Sequence, residues 1–215
     1  MIGVRQSALL SLLVLNPAAA AAQTDSLGFL SELEREIIRE HNRVRLDPAG
    51  YARFLRELKP HFDGLLFHLA DDLVRETEEG VAAIDEAVRL LEATGPVPPV
   101  GGSRGMSLGA RDLVADQGPT GRTGHFGSDG SQPWDRVNRY GSWEVTVAEN
   151  VAYGYETARD VLTQLLVDDG VPERSHRANI LNPEFRVVGV ACGPHARYAV
   201  LCVITYAGGY TEKPS

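Results

Sequence analysis

Residues 33–58 follow the three- and four-residue spacing of amphipathic helices. The positions that share one face are Leu33, Ile37, Ile38, His41 and Val44, followed by Tyr51, Phe54, Leu55 and Leu58. Between the two runs stands Asp47-Pro48, which suits the end of one helix and the first turn of the next, because proline lacks the N–H that would stay unbonded there. The pattern predicts two consecutive helices.

A third helical stripe lies further along the chain. Its positions are Val81, Ile84, Val88 and Leu91, bounded by Gly80 and Gly95. The segment Gly95–Gly105 contains three prolines and four glycines, which is typical of a linker. We therefore predict an acidic helical arm that the linker returns to the main body.

The second half of the chain mixes helices with strands. Leu108, Leu113 and Val114 predict a helix, and the Gly-, Ser-, Thr- and Asp-rich stretch Gly118–Pro133 predicts a long loop with His125 at its centre. A further helix is predicted by Val161, Leu162, Leu165 and Leu166, and the Asp168-Asp169-Gly170 run that follows it ends that helix.

Strands are predicted on both sides of that last helix. Val145 and Val147 alternate as a short strand that leads into Ala148-Glu149-Asn150. Val187–Cys192 and Tyr198–Tyr206, joined through Gly193-Pro194, predict a terminal antiparallel hairpin. Helices before, between and beside a few strands favour a layered α+β domain.

Length and charge narrow the classes of function. The chain has 215 residues, which favours one domain with an insertion over two domains. A net charge of -8 at pH 7 would repel phosphate backbones and anionic lipid surfaces, so we exclude nucleic acid and anionic membranes as partners.

The first 22 residues have the features of a secretory signal. Arg5 supplies the positive charge, Ser7–Leu15 is a short apolar run, and small residues occupy Ala18–Ala22. The run is far below the roughly 20 residues that span a bilayer. We predict removal of residues 1–22 and export of a single domain, residues 23–215, to the extracellular space or periplasm, with no membrane span.

The sequence leaves the pairing of its two cysteines open. Export makes Cys192 and Cys202 candidates for one disulfide. A short loop at Gly193-Pro194 would instead place Cys192 opposite about Ala199 and leave Cys202 out of register. Bridged Cα atoms must lie within roughly 7 Å of each other.

Four segments occur in a characteristic order. They are Thr123-Gly124-His125-Phe126, Ala148-Glu149-Asn150, the run His176–Pro183 and the strand Val188–Cys192. Together with His41-Asn42 and Arg45 they resemble the CAP superfamily of cysteine-rich secretory, antigen 5 and pathogenesis-related proteins (the SCP domain), in its bacterial branch. The resemblance covers the exported chain apart from a helical insertion at about residues 64–105.

The resemblance implies an α+β fold, a three-layer α-β-α sandwich with a small antiparallel sheet, here with an extra helical arm. Two histidines and two acids are expected to meet in a central cleft. His125, His176 and Glu149 match three of these positions, and Asn150 and Asn179 are expected to lie beside them.

The second acid departs from the family pattern. The family places a Glu after a Trp on the helix before the second histidine, whereas this helix ends in Val167-Asp168-Asp169. Asp168 or Asp169 is expected to replace it, with Glu173 a poorer candidate. A routine turn explains an Asp-Asp-Gly run equally well.

Two imidazoles with nearby carboxylates suit Zn²⁺ or another divalent metal and leave coordination positions open for water or a ligand. His125 and His176 are therefore the candidate metal ligands. By the residues alone, a solvated loop histidine is the favoured interpretation of His125, and only the family resemblance reverses it. His176 could be a first-turn residue of a helix capped by Ser175.

Three functions follow. The first is a secreted CAP-domain protein whose cleft can hold a metal and an extracellular or cell-surface ligand, small or lipid-like, such as a sterol, with no established turnover. The second is a metal-dependent, peptidase-like hydrolase in which His125 and His176 hold the ion and Glu149 is the general base. The third is a non-catalytic interaction module. No catalytic residue is assigned, and Glu149, Asp168 and Asp169 are the candidates.

Overall fold

A computed structural model describes residues 27–69 and 74–214, so the proposed signal segment lies outside the described residues. Helix α1, Glu32–Leu46, begins at Ser31, whose side chain accepts from the Glu34 N–H while the Glu34 carboxylate accepts from the Ser31 N–H. Helix α2, Pro48–Leu58, follows at once, with Asp47 as its N-cap. The predicted pair of helices is confirmed.

The arm contains a sheet as well as a helix. After a short 3-10 turn, Lys59–His61, come β1 (Phe62–Asp63), β2 (Leu66–His68) and β3 (Val74–Glu76), which pair antiparallel in that order. Helix α3, Val81–Ala93, then buries the predicted stripe. The helix of the predicted arm is present, and the small sheet before it was not predicted: Gly64 makes a tight turn at φ 60° and Phe62 stacks on Phe67 across it.

The main sheet has four strands in the order β4-β6-β7-β5. They are β4 (Gly101–Gly102), β5 (Gly141–Tyr153), β6 (Val187–His195) and β7 (Ala199–Glu212). The β5–β7 and β6–β7 pairs are antiparallel, and β4 runs parallel to β6. β5 is much longer than the predicted short strand, bulges between Glu144 and Val147, and lies at an edge of the sheet.

Helices cover the two faces of this sheet. They are α4 (Arg104–Thr120), the short α5 (Pro133–Val137), α6 (Ala158–Val167) and α7 (Ser175–Leu181). Cys202 and Ile204 pack with residues of α1 and α6, whereas Leu201 and Val203 pack with residues of α4. Because successive strand residues point to opposite faces, these contacts define three layers, and the predicted α-β-α sandwich is confirmed.

The terminal hairpin has a different register from the predicted one. Cys192 lies opposite Cys202, Ala199 lies opposite His195, and a disulfide joins the two cysteines with 4.2 Å between their Cα atoms. The chain turns beyond Gly193-Pro194, where Nδ1 of His195 accepts from the N–H groups of Arg197 and Tyr198. The expectation that Cys192 faces about Ala199 was wrong.

Helix α4 continues past the predicted start of the loop at Gly118 and ends at Gly121, which has φ 71°. A Cβ at Gly118 would lie 2.6 Å from the Pro194 carbonyl oxygen, so glycine permits the close approach of α4 to the hairpin. The connecting loop is therefore shorter and begins at residue 121.

A fully buried arginine fixes α1 to distant segments. The Arg45 guanidinium donates to the carbonyl oxygens of Pro98, Ile180, Asn182 and Phe185 at 2.7–3.0 Å. These bonds hold the linker and the end of α7 against the first helix.

In the described part of the chain, no helix is both long enough and apolar enough to cross a bilayer.

Candidate functional site

Glu149 and Asn150 are neighbours in the middle of β5, and both are buried. Their side chains point to opposite faces of the strand, as successive side chains do. β5 is an edge strand, so no further strand covers its outer side. One segment from each helical layer approaches this strand. The loop after α4 approaches Glu149, and the start of α7 approaches Asn150.

The first histidine contacts Glu149 directly. His125 Nδ1 lies 3.0 Å from Glu149 Oε1, and the imidazole is 43% exposed. Its loop is fixed by two contacts of the preceding residue: the Gln117 amide donates to the Gly124 carbonyl at 2.8 Å, and the Gly124 N–H donates to the Tyr153 hydroxyl at 2.9 Å. The ring is thus held at the surface by ordered neighbours.

Glu149 also forms a buried ion pair that sequence reasoning missed. Arg136 Nη2 donates to both carboxylate oxygens at 3.0 and 2.8 Å, and both side chains are 1% exposed. The same guanidinium donates to the carbonyl oxygens of His125 and Ser131 at 3.0 and 2.8 Å. Nothing in the sequence separates Arg136 from a surface arginine, because its partners come from other segments.

The second histidine has its own carboxylate. His176 Nδ1 lies 2.6 Å from Asp168 Oδ1, and Asp168 Oδ2 accepts from the N–H groups of His176 and Arg177 at 2.9 and 3.2 Å. Asp168 is fully buried, and the His176 side chain is 18% exposed. One carboxylate therefore orients the ring and satisfies the first turn of α7.

The structure separates the alternatives for the second acid. Asp168 has φ 57°, which turns its side chain inward to His176, whereas Asp169 accepts from the backbone of Glu78 and Glu79 in the arm. Glu173 is exposed. The expectation that Ser175 caps the helix was wrong, because α7 already includes Ser175 and Asp168 supplies the capping carboxylate.

Amide side chains connect β5, which carries Glu149, with α7, which carries His176. Asn150 Nδ2 donates to the His176 carbonyl oxygen at 3.0 Å and to the Tyr206 hydroxyl at 3.3 Å. The Asn179 amide donates to Asn150 Oδ1 at 2.8 Å. Asn150 therefore contacts both the start of α7 and Asn179, and Tyr206 is a further contact of Asn150 that sequence reasoning missed.

The donor set partly fits a divalent metal. Each imidazole directs Nδ1 to a carboxylate, the arrangement by which proteins orient metal-binding histidines, and this leaves Nε2 as the ligand atom. Both carboxylates are occupied by their own partners. Across residues 27–69 and 74–214, no three His, Cys, Asp or Glu side chains converge as a metal-binding group. His125 and His176 are the residues that would hold such an ion.

Two cavities are formed elsewhere. The larger, about 420 Å³, lies between α4 and the β6–β7 hairpin and is mainly apolar. Its lining residues are Val114, Ala115, Gly118, Pro119, Pro194, His195 and Ala196. The smaller, about 250 Å³, lies beside Tyr51 and Phe54, with Arg43, Arg53 and Arg159 around it. Neither of these two cavities is lined by His125 or His176.

Three solved structures resemble this one at low identity. An outer surface protein from Borrelia burgdorferi is 17% identical over 54% of this chain and 80% of that one, with a TM-score of 0.44. An extracellular SCP-domain protein from Bacillus anthracis (18%, TM-score 0.42) and a cysteine-rich secretory protein from Staphylococcus aureus (14%, TM-score 0.39) each match over 60% of this chain.

This chain spans 38% of the length of each of the latter two proteins. A search of curated proteins found no match. The model of the CAP family, described as the cysteine-rich secretory protein family, matches residues 38–206, which include both histidines and their two carboxylates. The chain therefore belongs to the CAP family.

Proposed function

We propose that this protein acts outside the cell as a binding protein whose two imidazoles hold a divalent metal ion, Zn²⁺ or a similar ion, for an extracellular ligand. The observation that carries the proposal is the matched pair of carboxylate–imidazole contacts, His125 with Glu149 and His176 with Asp168. Adjacent residues of β5 connect these pairs, since Glu149 contacts one histidine and Asn150 the other.

The residues of the chain would prepare both rings. Each carboxylate would accept a hydrogen bond from the Nδ1–H of its imidazole, which fixes the tautomer and leaves the Nε2 lone pair available to a metal ion. Arg136 balances the charge of Glu149, so the first half of the site carries little net negative charge. When bound, the ion would supply open coordination positions for a carbonyl, carboxylate or phosphate oxygen of the ligand.

The geometry disfavours the hydrolase alternative. A general base must reach the water that it deprotonates. Both oxygens of Glu149 already accept from Arg136, and the side chain is 1% exposed. Asp168 is fully buried and occupied by His176 and Arg177. Neither carboxylate is free to activate a water molecule, so binding without turnover is the better supported function.

Calorimetric titration with Zn²⁺ tests the proposal on the purified exported chain. We expect one ion per chain, and an affinity at least tenfold weaker in His125→Ala and in His176→Ala, because each removes one of two protein ligands. His61→Ala, which changes an exposed histidine outside the site, is the matched control. Equal heats in all four proteins would contradict the proposal.

The absence of any heat with Zn²⁺, Mn²⁺ and Ca²⁺ would favour the non-catalytic interaction module instead.

The structure also leaves room for the lipid-like ligand that the family resemblance implies. The apolar 420 Å³ cavity falls within the usual range for small-molecule sites. Ala115→Trp fills it and is expected to abolish retention of fatty acid or sterol, whereas unchanged retention would place the lipid elsewhere.

Export remains part of the proposal. The disulfide between Cys192 and Cys202 supports an oxidising compartment, because such bonds are rarely maintained in reducing cytosol. The signal segment proposed for residues 1–22 agrees with this. Extracellular space and periplasm are both compatible with these features.

A further inference from the structure

The turn between α6 and α7, residues 168–174, is hydrogen-bonded to the inserted arm. The Asp169 carboxylate accepts from the N–H groups of Glu78 and Glu79 at 2.7 and 2.8 Å. In return, the Gly170 N–H donates to Glu79 at 2.9 Å. These reciprocal bonds connect the segment before α3 with the turn whose first residue, Asp168, contacts His176.

Arg174 is the centre of this contact. Its guanidinium donates to both oxygens of Glu79 at 2.6 Å and to those of Glu86, on α3, at 2.8–3.2 Å. The same side chain donates to the Asp168 carbonyl oxygen at 2.7 Å. One residue therefore ties two acids of the arm to the backbone of the residue that orients His176.

Arg177 adds a second connection from within α7. It is 2% exposed, and it donates to Glu86 at 2.9 Å and to the carbonyl oxygens of Leu166 and Val167 at the end of α6. Glu86 thus contacts both arginines, which flank His176 in the sequence. A network of shared, partly buried charges holds geometry better than an isolated surface pair does.

We propose that the arm is a positioning device for the second histidine: Glu79 and Glu86 act through Arg174 and Arg177 to hold the Asp168–His176 pair in place. Arg174 itself is a non-glycine residue at φ 50°, and its side-chain bonds hold it there. The inference rests on the proposed function for what His176 binds, but the orientation of the ring can be measured without any metal.

Other ion pairs fasten the arm without touching this turn. Arg56 pairs with Glu92, and Lys59 pairs with Asp85 at 2.8 Å, in both cases linking α2 or the turn after it to α3. Arg56→Gln is therefore a matched control, because it removes one arginine–glutamate contact of the arm and leaves the α6–α7 turn intact.

The test measures the His176 ring by ¹⁵N NMR in the metal-free chain, and then Zn²⁺ affinity by calorimetry. In Arg174→Gln, and in Glu79→Gln/Glu86→Gln, we expect exchange of the His176 Nδ1 proton to accelerate at least tenfold and the affinity to fall about tenfold. His125 signals are expected to stay as in the wild type, and Arg56→Gln to change neither quantity. Arg174→Lys, which keeps the charge but loses the fork of donors, is expected to be intermediate.

Unchanged His176 exchange in both the arginine and the double glutamate variants would overturn the inference. Altered His125 signals with equal loss at both rings would also overturn it, because that result indicates general loosening. A wild-type chain that binds no Zn²⁺ but shows the expected His176 changes would refute the proposed function and leave the positioning role standing. If Arg174→Gln fails to fold, Arg174→Lys and the glutamate variant decide the matter.

Discussion

The Glu149 carboxylate contacts two different side chains, a buried arginine and a surface histidine. Arg136 occupies both oxygens inside the protein, while His125 approaches Oε1 from the surface. The carboxylate can therefore orient an imidazole without adding an unbalanced charge to the interior. Removing it would leave the buried guanidinium of Arg136 uncompensated, which is more costly than losing one hydrogen bond.

We predict that Glu149→Gln lowers the free energy of unfolding by about 3–5 kcal/mol, the usual cost of breaking a buried ion pair from one side. Urea denaturation measures this, with Glu144→Gln, an exposed acid on the same strand, as the control. The double change Glu149→Leu/Arg136→Met should regain most of the loss. A decrease below about 1 kcal/mol in Glu149→Gln would show that the pair is not formed in solution.

At the residue scale, motif order singled out His125, Glu149 and His176, and in the structure each histidine contacts a carboxylate. It could not choose between Asp168 and Asp169, because both belong to one turn and the choice depends on which side chain the backbone directs inward. It also missed Arg136 and Tyr206, since their partners lie on other segments of the chain.

The packing of α1 on the sheet buries a titratable ring. The His41 ring lies 5.4 Å from the Tyr206 ring, centroid to centroid, at a tilt of 41°, and neither of its nitrogens has a hydrogen-bond partner among the described residues. Burial, together with the nearby charge of Arg45, lowers the pKa of His41 from 6.5 to about 3. The folded protein therefore keeps this histidine neutral at pH values where the unfolded chain protonates it.

Because the pKa of His41 is lower in the folded protein than in the unfolded chain, the contribution of His41 to the free energy of unfolding depends on pH. It is complete above about pH 6.5 and is progressively lost as the pH falls towards 3. We expect His41 to account for a loss of about 2 kcal/mol in unfolding free energy between pH 7 and pH 5. Urea titrations at both pH values should show a smaller pH dependence in His41→Leu, but not in His61→Gln, which alters an exposed histidine. An identical dependence in all three proteins would contradict this account.

Among the elements, the long helices were predictable because their apolar stripes and the Asp47-Pro48 junction are local signals. Strand register was not predictable. The position of the β6–β7 turn depends on His195, whose Nδ1 accepts two backbone N–H groups and whose Nε2 lies 2.9 Å from the Arg122 carbonyl oxygen. In this register Cys192 lies opposite Cys202.

For the whole molecule, the three-layer arrangement followed from the order of motifs and their family resemblance. The attachment of the arm did not, because it consists of ion pairs between residues about ninety positions apart, such as Arg174 with Glu79 and Glu86. Charge patterns along the chain do not specify such partners. The arm was therefore identified as an insertion, while its contact with the α6–α7 turn emerged only from the structure.

The central claim is that both imidazoles contact one ion at the edge of β5. A crystal structure of the Zn²⁺-loaded protein, with anomalous diffraction recorded at the zinc edge, tests it most directly. We predict a single peak at roughly 2.0–2.1 Å from Nε2 of both His125 and His176, with Glu149 and Asp168 still bonded to the Nδ1 atoms. A peak bound to only one of these rings, or located away from both, would contradict the account.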